Sequence, residues 1–574
     1  MQQIQNDLVQ INRLTISFGQ SAVLRTLNLN IGTGETLAIV GESGSGKSLT
    51  ALSLLQLLPA HATVCGEILL KNTSASEPKA AAVDLNRLGA NEMEKIRGVQ
   101  IAMIFQEPMS SLNPVKTCGY QVAEAVITHL HLSEKNAKSE VIRLFTEVRL
   151  PDPEQVFDKY PHQISGGQKQ RVMIAMAMSC APRLLICDEP TTALDVMVQK
   201  EILLLIKDLQ QKTHMSVLFI SHDIQLVAQI ADQIAVLYRG DLVEYGRAGD
   251  IISNPQHPYT RALLSCRPGL YKRGERLPVV ADFFNKDQPQ KMPVIRENQN
   301  IQKTTGTGTP VLEIKNLNVW YPTKRDFRGR VTDYFKAVRD INLTICKGET
   351  LGLVGGSGCG KTTLGRAIMG LTPIHEGSML FKGQPWPKQS AQGRHSAAAM
   401  QMIFQDPYSA LNPRITVGKA IGEALLVHSR YSKAAVKQKV LDWLEKVGLQ
   451  RDHYDRYPHE FSGGQRQRLV IARALILEPD FVICDESVSA LDVSVQAQVL
   501  NLFNDLKAEL GFTSVFISHD LSVVRYISDR IAVMNQGQLE ELGPADSVYF
   551  KPQSPYTKAL LSAIPAQGMG GSAE

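Results

Sequence analysis

Short, nearly continuous apolar runs recur along the chain, separated by polar and glycine-rich stretches. Thr36-Leu37-Ala38-Ile39-Val40 shows no clear period. By itself such a run fits either a buried strand or a piece of buried helix. The glycines after it, Gly41, Gly44 and Gly46, decide for a strand, and Ser48–Leu58 is then predicted as a helix. Leu184–Asp188 and Phe481–Asp485 are similar runs, and they end in the acidic pairs Asp188-Glu189 and Asp485-Glu486. A buried strand whose carboxylates emerge at its C-terminal edge is where an open α/β sheet binds ligands. No run approaches the ~18 consecutive apolar residues of a bilayer-spanning helix. Between 272 and 310 the pattern lapses into Pro, Gln, Asn, Lys and Thr, with Pro278, Pro289, Pro293 and Pro310 breaking any long helix.

The pattern occurs twice. Gly41-Glu42-Ser43-Gly44-Ser45-Gly46-Lys47-Ser48 recurs as Gly355-Gly356-Ser357-Gly358-Cys359-Gly360-Lys361-Thr362. Phe105-Gln106-Glu107-Pro108 recurs as Phe404-Gln405-Asp406-Pro407, Ser165-Gly166-Gly167-Gln168 as Ser462-Gly463-Gly464-Gln465, and Ser221-His222-Asp223 as Ser518-His519-Asp520. Ser165 precedes Glu189 by the same interval as Ser462 precedes Glu486, and Glu189 precedes His222 as Glu486 precedes His519. Such self-similarity indicates two copies of one domain. The expected boundaries are 1–271 for the first domain, 272–310 for a linker, 311–566 for the second domain and 567–574 for a disordered tail. Arg276–Val280 at the start of the linker is expected to pack on the first domain. The first copy is longer between its lysine and its serine, and the extra residues fall around the Ser- and Ala-rich Asn72–Asp84.

Composition adds bounds. Net charge is +5, from 61 basic and 56 acidic residues, too mild over 574 residues to suggest a nucleic-acid partner. Met1–Asp7 has no basic or strongly apolar segment, so no secretory signal is expected. The eight cysteines form no CxxC pair, which argues against a zinc or iron–sulfur site and fits a reducing compartment.

Strand, G-x-x-x-x-G-K-[ST] and helix in that order form a phosphate-binding loop. Its glycines, Gly41, Gly44 and Gly46 or Gly355, Gly358 and Gly360, let backbone N–H groups curl around phosphates, and Ser43 and Ser357 lie in the same curl. Lys47 and Lys361 supply charge to the β- and γ-phosphates, and the hydroxyls of Ser48 and Thr362 suit Mg²⁺. Asp188 and Asp485 are candidate metal carboxylates. Glu189 and Glu486 are placed to orient and deprotonate an attacking water.

These motifs resemble the ATP-binding cassette (ABC) superfamily over almost the whole chain, with the Ser-Gly-Gly-Gln words as its distinguishing signature. The resemblance implies an α/β fold: two tandem phosphate-loop ATPase domains, each with a mostly parallel sheet core, an antiparallel β subdomain and a helical signature subdomain. It implies ATP and Mg²⁺ as cofactors. Ser165, Gly167 and Gln168, with Ser462, Gly464 and Gln465, correspond to the anion site that reaches the nucleotide held by the opposite domain. One nucleotide is thus expected with Lys47, Glu189, His222 and Ser462, the other with Lys361, Glu486, His519 and Ser165. Gln106 and Gln405 correspond to the switch glutamine that contacts the metal, and His222 and His519 to the γ-phosphate histidine. Phe18 and Tyr321 correspond to the adenine-stacking aromatic, with Trp320 as the competitor of Tyr321. Ala193-Leu194-Asp195 and Ala490-Leu491-Asp492 correspond to the loop linking the sites.

Further words narrow the branch. The segments Phe105–Pro114 and Phe404–Pro413, the words Tyr160-Pro161-His162 and Tyr457-Pro458-His459, and the words His257-Pro258-Tyr259-Thr260 and Ser554-Pro555-Tyr556-Thr557 are similar to the cytosolic ATPases of peptide, nickel and glutathione importers, here of the fused type. That similarity implies two integral-membrane permease subunits docking along about 106–150 and 405–449, an extracytoplasmic substrate-binding protein that selects cargo, and one chain per transporter at the cytoplasmic face of a bacterial inner membrane. The rival is a soluble tandem cassette acting on ribosomes, whose long charged helical linker this chain lacks. A DNA-repair cassette is disfavoured by the absence of cysteine pairs.

Overall fold

The computed structural model describes residues 7–71, 82–106, 111–192, 194–284, 308–386, 398–428, 431–489 and 491–564. Most of the expected insertion, residues 285–307 of the linker, the tail, Glu107–Ser110, Ala193 and Ala490 lie outside them. By its internal contacts the chain forms two compact units.

In the first unit, β1 (Asp7–Phe18), β2 (Ser21–Gly32), β4 (Ala62–Leu70) and β5 (Val83–Asp84) make an antiparallel sheet in the order β2-β1-β4-β5. A second sheet runs β10-β9-β3-β8-β7-β6. Its strands β3 (Thr36–Val40), β6 (Ile101–Ile104), β7 (Leu184–Asp188), β8 (Ser216–Ser221) and β9 (Gln233–Tyr238) are parallel, and β10 (Asp241–Arg247) pairs antiparallel at the edge. All five residues of β3 and of β7 are buried. Strands covered on both faces carry no polar alternation, which is why their sequences lack a period. One apolar cluster joins the sheets, from Leu14 and Ile16 on β1 to Ile39, Ile186 and Ile220 on the central strands.

The helix after β3 covers Lys47–Leu54, shorter than the Ser48–Leu58 expected. Gln56 stops it. Its backbone turns to φ 49°, and its side-chain amide donates to Leu85 O and Leu88 O. The Cys118–Leu130 and Glu134–Glu147 helices begin at N-caps Thr117 and Ser133, whose hydroxyls accept from Tyr120 N–H and Asn136 N–H. They pack with the Gly166–Met178 helix as the helical subdomain.

The second unit repeats the plan. An antiparallel sheet runs β12-β11-β14-β15, from β11 (Pro310–Arg325), β12 (Val331–Cys346), β14 (Glu376–Phe381) and β15 (Gln384–Trp386). The core sheet runs β16-β17-β18-β13-β19-β20, from β13 (Thr350–Val354), β16 (Met400–Ile403), β17 (Phe481–Asp485), β18 (Thr513–Ile517), β19 (Arg530–Asn535) and the antiparallel β20 (Gln538–Pro544).

This unit also takes in Asp195–Met197 and Cys266–Asp282. Leu277 is 2% exposed, and its backbone N–H and C=O are both satisfied by the Asn501 side-chain amide, at 3.0 and 2.8 Å. Arg276 pairs with Asp505 at 2.9 Å, and Arg273 pairs with Asp529. The segment around Arg276–Val280, expected against the first domain, therefore packs in the second unit. Its local composition does not distinguish the two destinations; the side-chain amide that matches its backbone lies on the Val493–Leu510 helix.

Candidate active site

Each core sheet delivers its reactive groups from the carboxyl ends of its central strands. After β3 the chain curls and enters the Lys47–Leu54 helix through Gly46 at φ 101°; after β13 it enters the Lys361–Ile368 helix through Gly360 at φ 104°. These left-handed turns favour glycine. Gly41 is required by close approach, since a Cβ there would lie 2.3 Å from Leu237 O; at Gly355 it would lie 2.1 Å from Met534 O.

The helix starts leave N–H groups free to face an anion, and the lysine lies folded beneath the loop. Lys47 Nζ donates to Gly41 O at 2.8 Å and Glu42 O at 2.9 Å, and Lys361 Nζ donates to Gly355 O and Gly356 O, both at 2.9 Å. The lysines stand 4.0 Å from Glu189 and Glu486 respectively. Ser48 Oγ donates to Asp188 Oδ1 and Thr362 Oγ1 to Asp485 Oδ1, each at 3.0 Å.

Glu189 gathers the remaining polar groups of the first site. Its Oε2 accepts from Gln106 Nε2 at 3.1 Å and Thr192 Oγ1 at 3.0 Å, and lies 3.3 Å from His222 Nδ1. In the second site Gln405 Nε2 donates to Glu486 Oε2 at 2.8 Å, and His519 Nδ1 lies 3.7 Å from it. Both glutamates adopt φ 45°. Non-glycine residues held in this left-handed region cluster at functional sites, because the surrounding structure must sustain the strain.

The carboxylates diverge electrostatically. Burial pushes Asp188 up to about 6, against the hydrogen bond from Ser48, and neighbouring Glu189 adds to the rise. Burial acts in the same direction on Glu189, but His222, Lys47 and Thr192 together outweigh it and hold that carboxyl at about 2. The second site matches in direction: burial raises Asp485, and His519 and Lys361 overcome burial to lower Glu486. Each glutamate is thus an ionised acceptor engaged by the groups that a terminal phosphate would claim.

A cavity of about 250 Å³ lies over the first loop, lined by Ser43, Gly44, Gly46, Lys47, Ser48, Gln106 and Glu189, with Val23 and Leu49 closing its apolar side. Phe18 is not in this lining; it packs on His61 with ring centroids 5.2 Å apart. Tyr321 is 39% exposed, while Trp320 stacks on His375 at 4.0 Å.

The signature residues lie at helix starts in each unit. Ser165 Oγ accepts from Gln168 N–H, and Gln168 Oε1 accepts from Ser165 N–H at 3.0 Å; Ser462 and Gln465 form the same reciprocal cap. Gly167 and Gly464 face Val198 and Val495, which a Cβ would meet at 2.9 and 2.3 Å. In the second unit Asp195 Oδ2 accepts from Ser357 N–H at 2.9 Å.

Sequence reasoning missed two tyrosines. The Tyr259 hydroxyl accepts from Glu42 N–H and the Tyr556 hydroxyl from Gly356 N–H, both at 2.9 Å. The signal was present in the matched Pro-Tyr-Thr words.

A glycine cradle with a buried lysine, a hydroxyl–aspartate pair and a glutamate gathered by glutamine and histidine define a phosphate-loop nucleotide hydrolase. The ABC transporter family model matches residues 24–192 and 338–489, and the oligopeptide/dipeptide transporter C-terminal region matches 243–283 and 541–571. The chain belongs to the ABC transporter family and is an ATP-binding, ATP-hydrolysing cassette protein of tandem type. It is 47% identical over 567 residues to the glutathione import ATP-binding protein of Salmonella choleraesuis, covering 97% of this chain and 90% of that one. The Escherichia coli K12 protein of the same name is 46% identical over 568 residues with the same coverages, and that of Pectobacterium atrosepticum is 44% identical over 566 residues, covering 97% and 89%. Among solved structures, a dimeric ATP-binding cassette in a post-hydrolysis state with ADP and Pi matches at 26% identity over 41% of this chain and 98% of its own, with a TM-score of 0.37. Nothing in these similarities points to a ribosome-acting cassette.

Proposed function

We propose that the chain is the ATPase motor of a bacterial importer for small peptides, with glutathione-like peptides within its range. The observation that carries this is the similarity of 97% of the chain to glutathione import ATP-binding proteins. The matched geometry of loop, acids, glutamine and histidine within each unit supports two working sites.

The donor set fits magnesium. Ser48 with Asp188, and Thr362 with Asp485, offer paired hard oxygens beside a glutamine, and Mg²⁺ takes few protein ligands together with phosphate oxygens. When bound, the metal neutralises charge developing on the phosphates. Ser48, Asp188 and Gln106 would hold it in the first site, and Thr362, Asp485 and Gln405 in the second. Lys47 and Lys361 leave their loop carbonyls for the phosphates, and His222 and His519 turn from the glutamates to the terminal phosphate. Glu189 and Glu486, released from these partners, then orient the attacking water and accept its proton. Phe18 and Tyr321 are the proposed adenine contacts.

Among the described residues no helix is long and apolar enough to cross a membrane, so attachment is proposed to be peripheral, through two permease subunits on the cytoplasmic face of the inner membrane. In the second unit a groove of about 550 Å³ lies between Met402, Phe404, Val427, His428, Val470 and Arg473, and Phe404 directly precedes Gln405 in the chain. Such a groove suits a permease segment whose position the switch glutamine would sense. An extracytoplasmic binding protein would choose the cargo, and one chain would serve one transporter.

The test is affinity purification from gently solubilised membranes of the native host, followed by mass spectrometry. Two multi-spanning permeases in stoichiometric amount are expected, together with loss of ATP-dependent glutathione or dipeptide uptake in a deletion strain. Recovery in the soluble fraction with ribosomal proteins overturns the transport assignment and leaves the ATPase chemistry intact.

A further inference from the structure

The tyrosine contacts reach the loop through one peptide unit. Gly41 C=O and Glu42 N–H belong to the same peptide; the carbonyl accepts from Lys47 Nζ at 2.8 Å, and the N–H donates to the Tyr259 hydroxyl at 2.9 Å. In the second unit the Gly355–Gly356 peptide is held in the same way, by Lys361 and Tyr556, each at 2.9 Å. The phosphate-binding lysine and a tyrosine from beyond the end of the core sheet thus grip opposite edges of one peptide plane.

Each tyrosine is itself held. Proline opens its helix, Pro258–Ser265 or Pro555–Ala563, and the preceding side chain accepts the tyrosine's own N–H: His257 Nδ1 at 3.2 Å, Ser554 Oγ at 3.2 Å. A glutamate on the edge strand then clamps the approach. Glu244 accepts from Gln256 and His257 N–H at 2.8 and 3.0 Å, and Glu541 from Gln553 and Ser554 N–H at 2.9 and 3.1 Å. The Tyr259 ring is fully buried and stacks on Tyr238 at 4.3 Å. Both copies keep the same clamp, built from the matching words Pro255-Gln256-His257-Pro258-Tyr259-Thr260 and Pro552-Gln553-Ser554-Pro555-Tyr556-Thr557; ring packing alone does not require it.

We propose that the Tyr259 and Tyr556 hydroxyls are positioning groups of the ATP sites, fixing the peptide from which the phosphate-binding lysine is presented, so that the C-terminal extension of each cassette sets that cassette's nucleotide affinity. The proposal rests on the assignment of these loops as phosphate loops. A hydrogen bond polarises the peptide it joins, so the tyrosine also strengthens the carbonyl as the acceptor of the lysine. Without it the peptide is held at its carbonyl alone, and the loop amides are aimed less firmly at the phosphates.

The test uses the full chain carrying Tyr259→Phe and Tyr556→Phe, singly and together, which keep the rings and remove the hydroxyls. MgADP affinity is measured by titration calorimetry, and KM for ATP and kcat by phosphate release. Loss of one part-buried hydrogen bond at the loop peptide predicts about a five- to tenfold weakening. The expectation is that Kd and KM rise by that factor while kcat changes little and the melting temperature falls by a few degrees at most, and that each single variant shows one weakened and one unchanged site. Unchanged Kd and KM in folded protein overturn the proposal, as does a fall in kcat alone. Should the double variant not fold, the single variants decide, because the intact site is an internal reference. Failure of the unsubstituted chain to bind MgADP would instead overturn the phosphate-loop assignment beneath it.

Discussion

Replacing Glu189 and Glu486 by glutamine tests the arrangement at its centre. The substitution keeps the length of the side chain and removes its charge. Lys47 stands 4.0 Å from Glu189, with the two side chains 4% and 11% exposed. At that separation and an effective dielectric of ~20, the attraction is about 4 kcal/mol. In the nucleotide-free protein this attraction competes with ATP, since Lys47 must leave Glu189 and the loop carbonyls to meet a phosphate. Glutamine weakens that competition, so MgATP is expected to bind Glu189→Gln at least as tightly as the parent chain. Hydrolysis moves the other way, because removing a positioned general base costs about 10²–10⁴-fold. Each single variant is expected to lose turnover at its own site, and the double variant to lose nearly all of it. The assays are steady-state phosphate release and MgATP titration on the same preparations. If the double variant hydrolyses ATP within about tenfold of the parent, or if it is folded and no longer binds ATP, the roles assigned to these glutamates are wrong.

Other expectations concern the second unit. Lys507 donates to Thr350 beside Asp529, Arg273 and Glu349, and burial pushes its ammonium down from 10.5 to about 7. The unfolded chain then binds more protons than the fold between about pH 7 and pH 10.5, so stability from this group rises with pH across that window and is penalised fully below it. Lys507→Met is expected to melt several degrees above the parent at pH 7, with the gap closing toward pH 10; a gap independent of pH refutes the assignment. Asn501→Leu strips both backbone partners from Leu277, at about 1–3 kcal/mol for each unpaired group. Calorimetry is expected to show a lower unfolding transition for the second unit, with the first unchanged, and equal transitions in variant and parent would count against it.

How much of this was legible in the chain depends on range. Lys47 and Ser48 follow β3 within a few residues, and Gly46 lies at the turn that only glycine enters easily, so sequence spacing alone located the cradle. Asp188 and Glu189 were legible for the same reason, at the end of a strand whose five residues are all buried. The adenine aromatics were less so. Phe18 and Tyr321 occupy strands where an aromatic serves packing as readily as a ligand, and the structure places Phe18 on His61 and Trp320 on His375.

The sequence by itself determined that this chain is two copies of one ATPase domain, that each copy carries its own lysine, hydroxyl, acids, glutamine and histidine, and that it resembles importer ATPases, because these groups occur in short words at repeated spacing. The tertiary structure alone decided which groups meet. It placed Cys266–Asp282 in the second unit through the Asn501 amide, wrapped Gln106, Thr192 and His222 around one carboxylate oxygen, and brought Tyr259 to a loop 217 positions earlier in the chain. Contacts at that separation depend on how the sheets stack and where edge strands turn, and local hydrophobic periodicity carries no record of either.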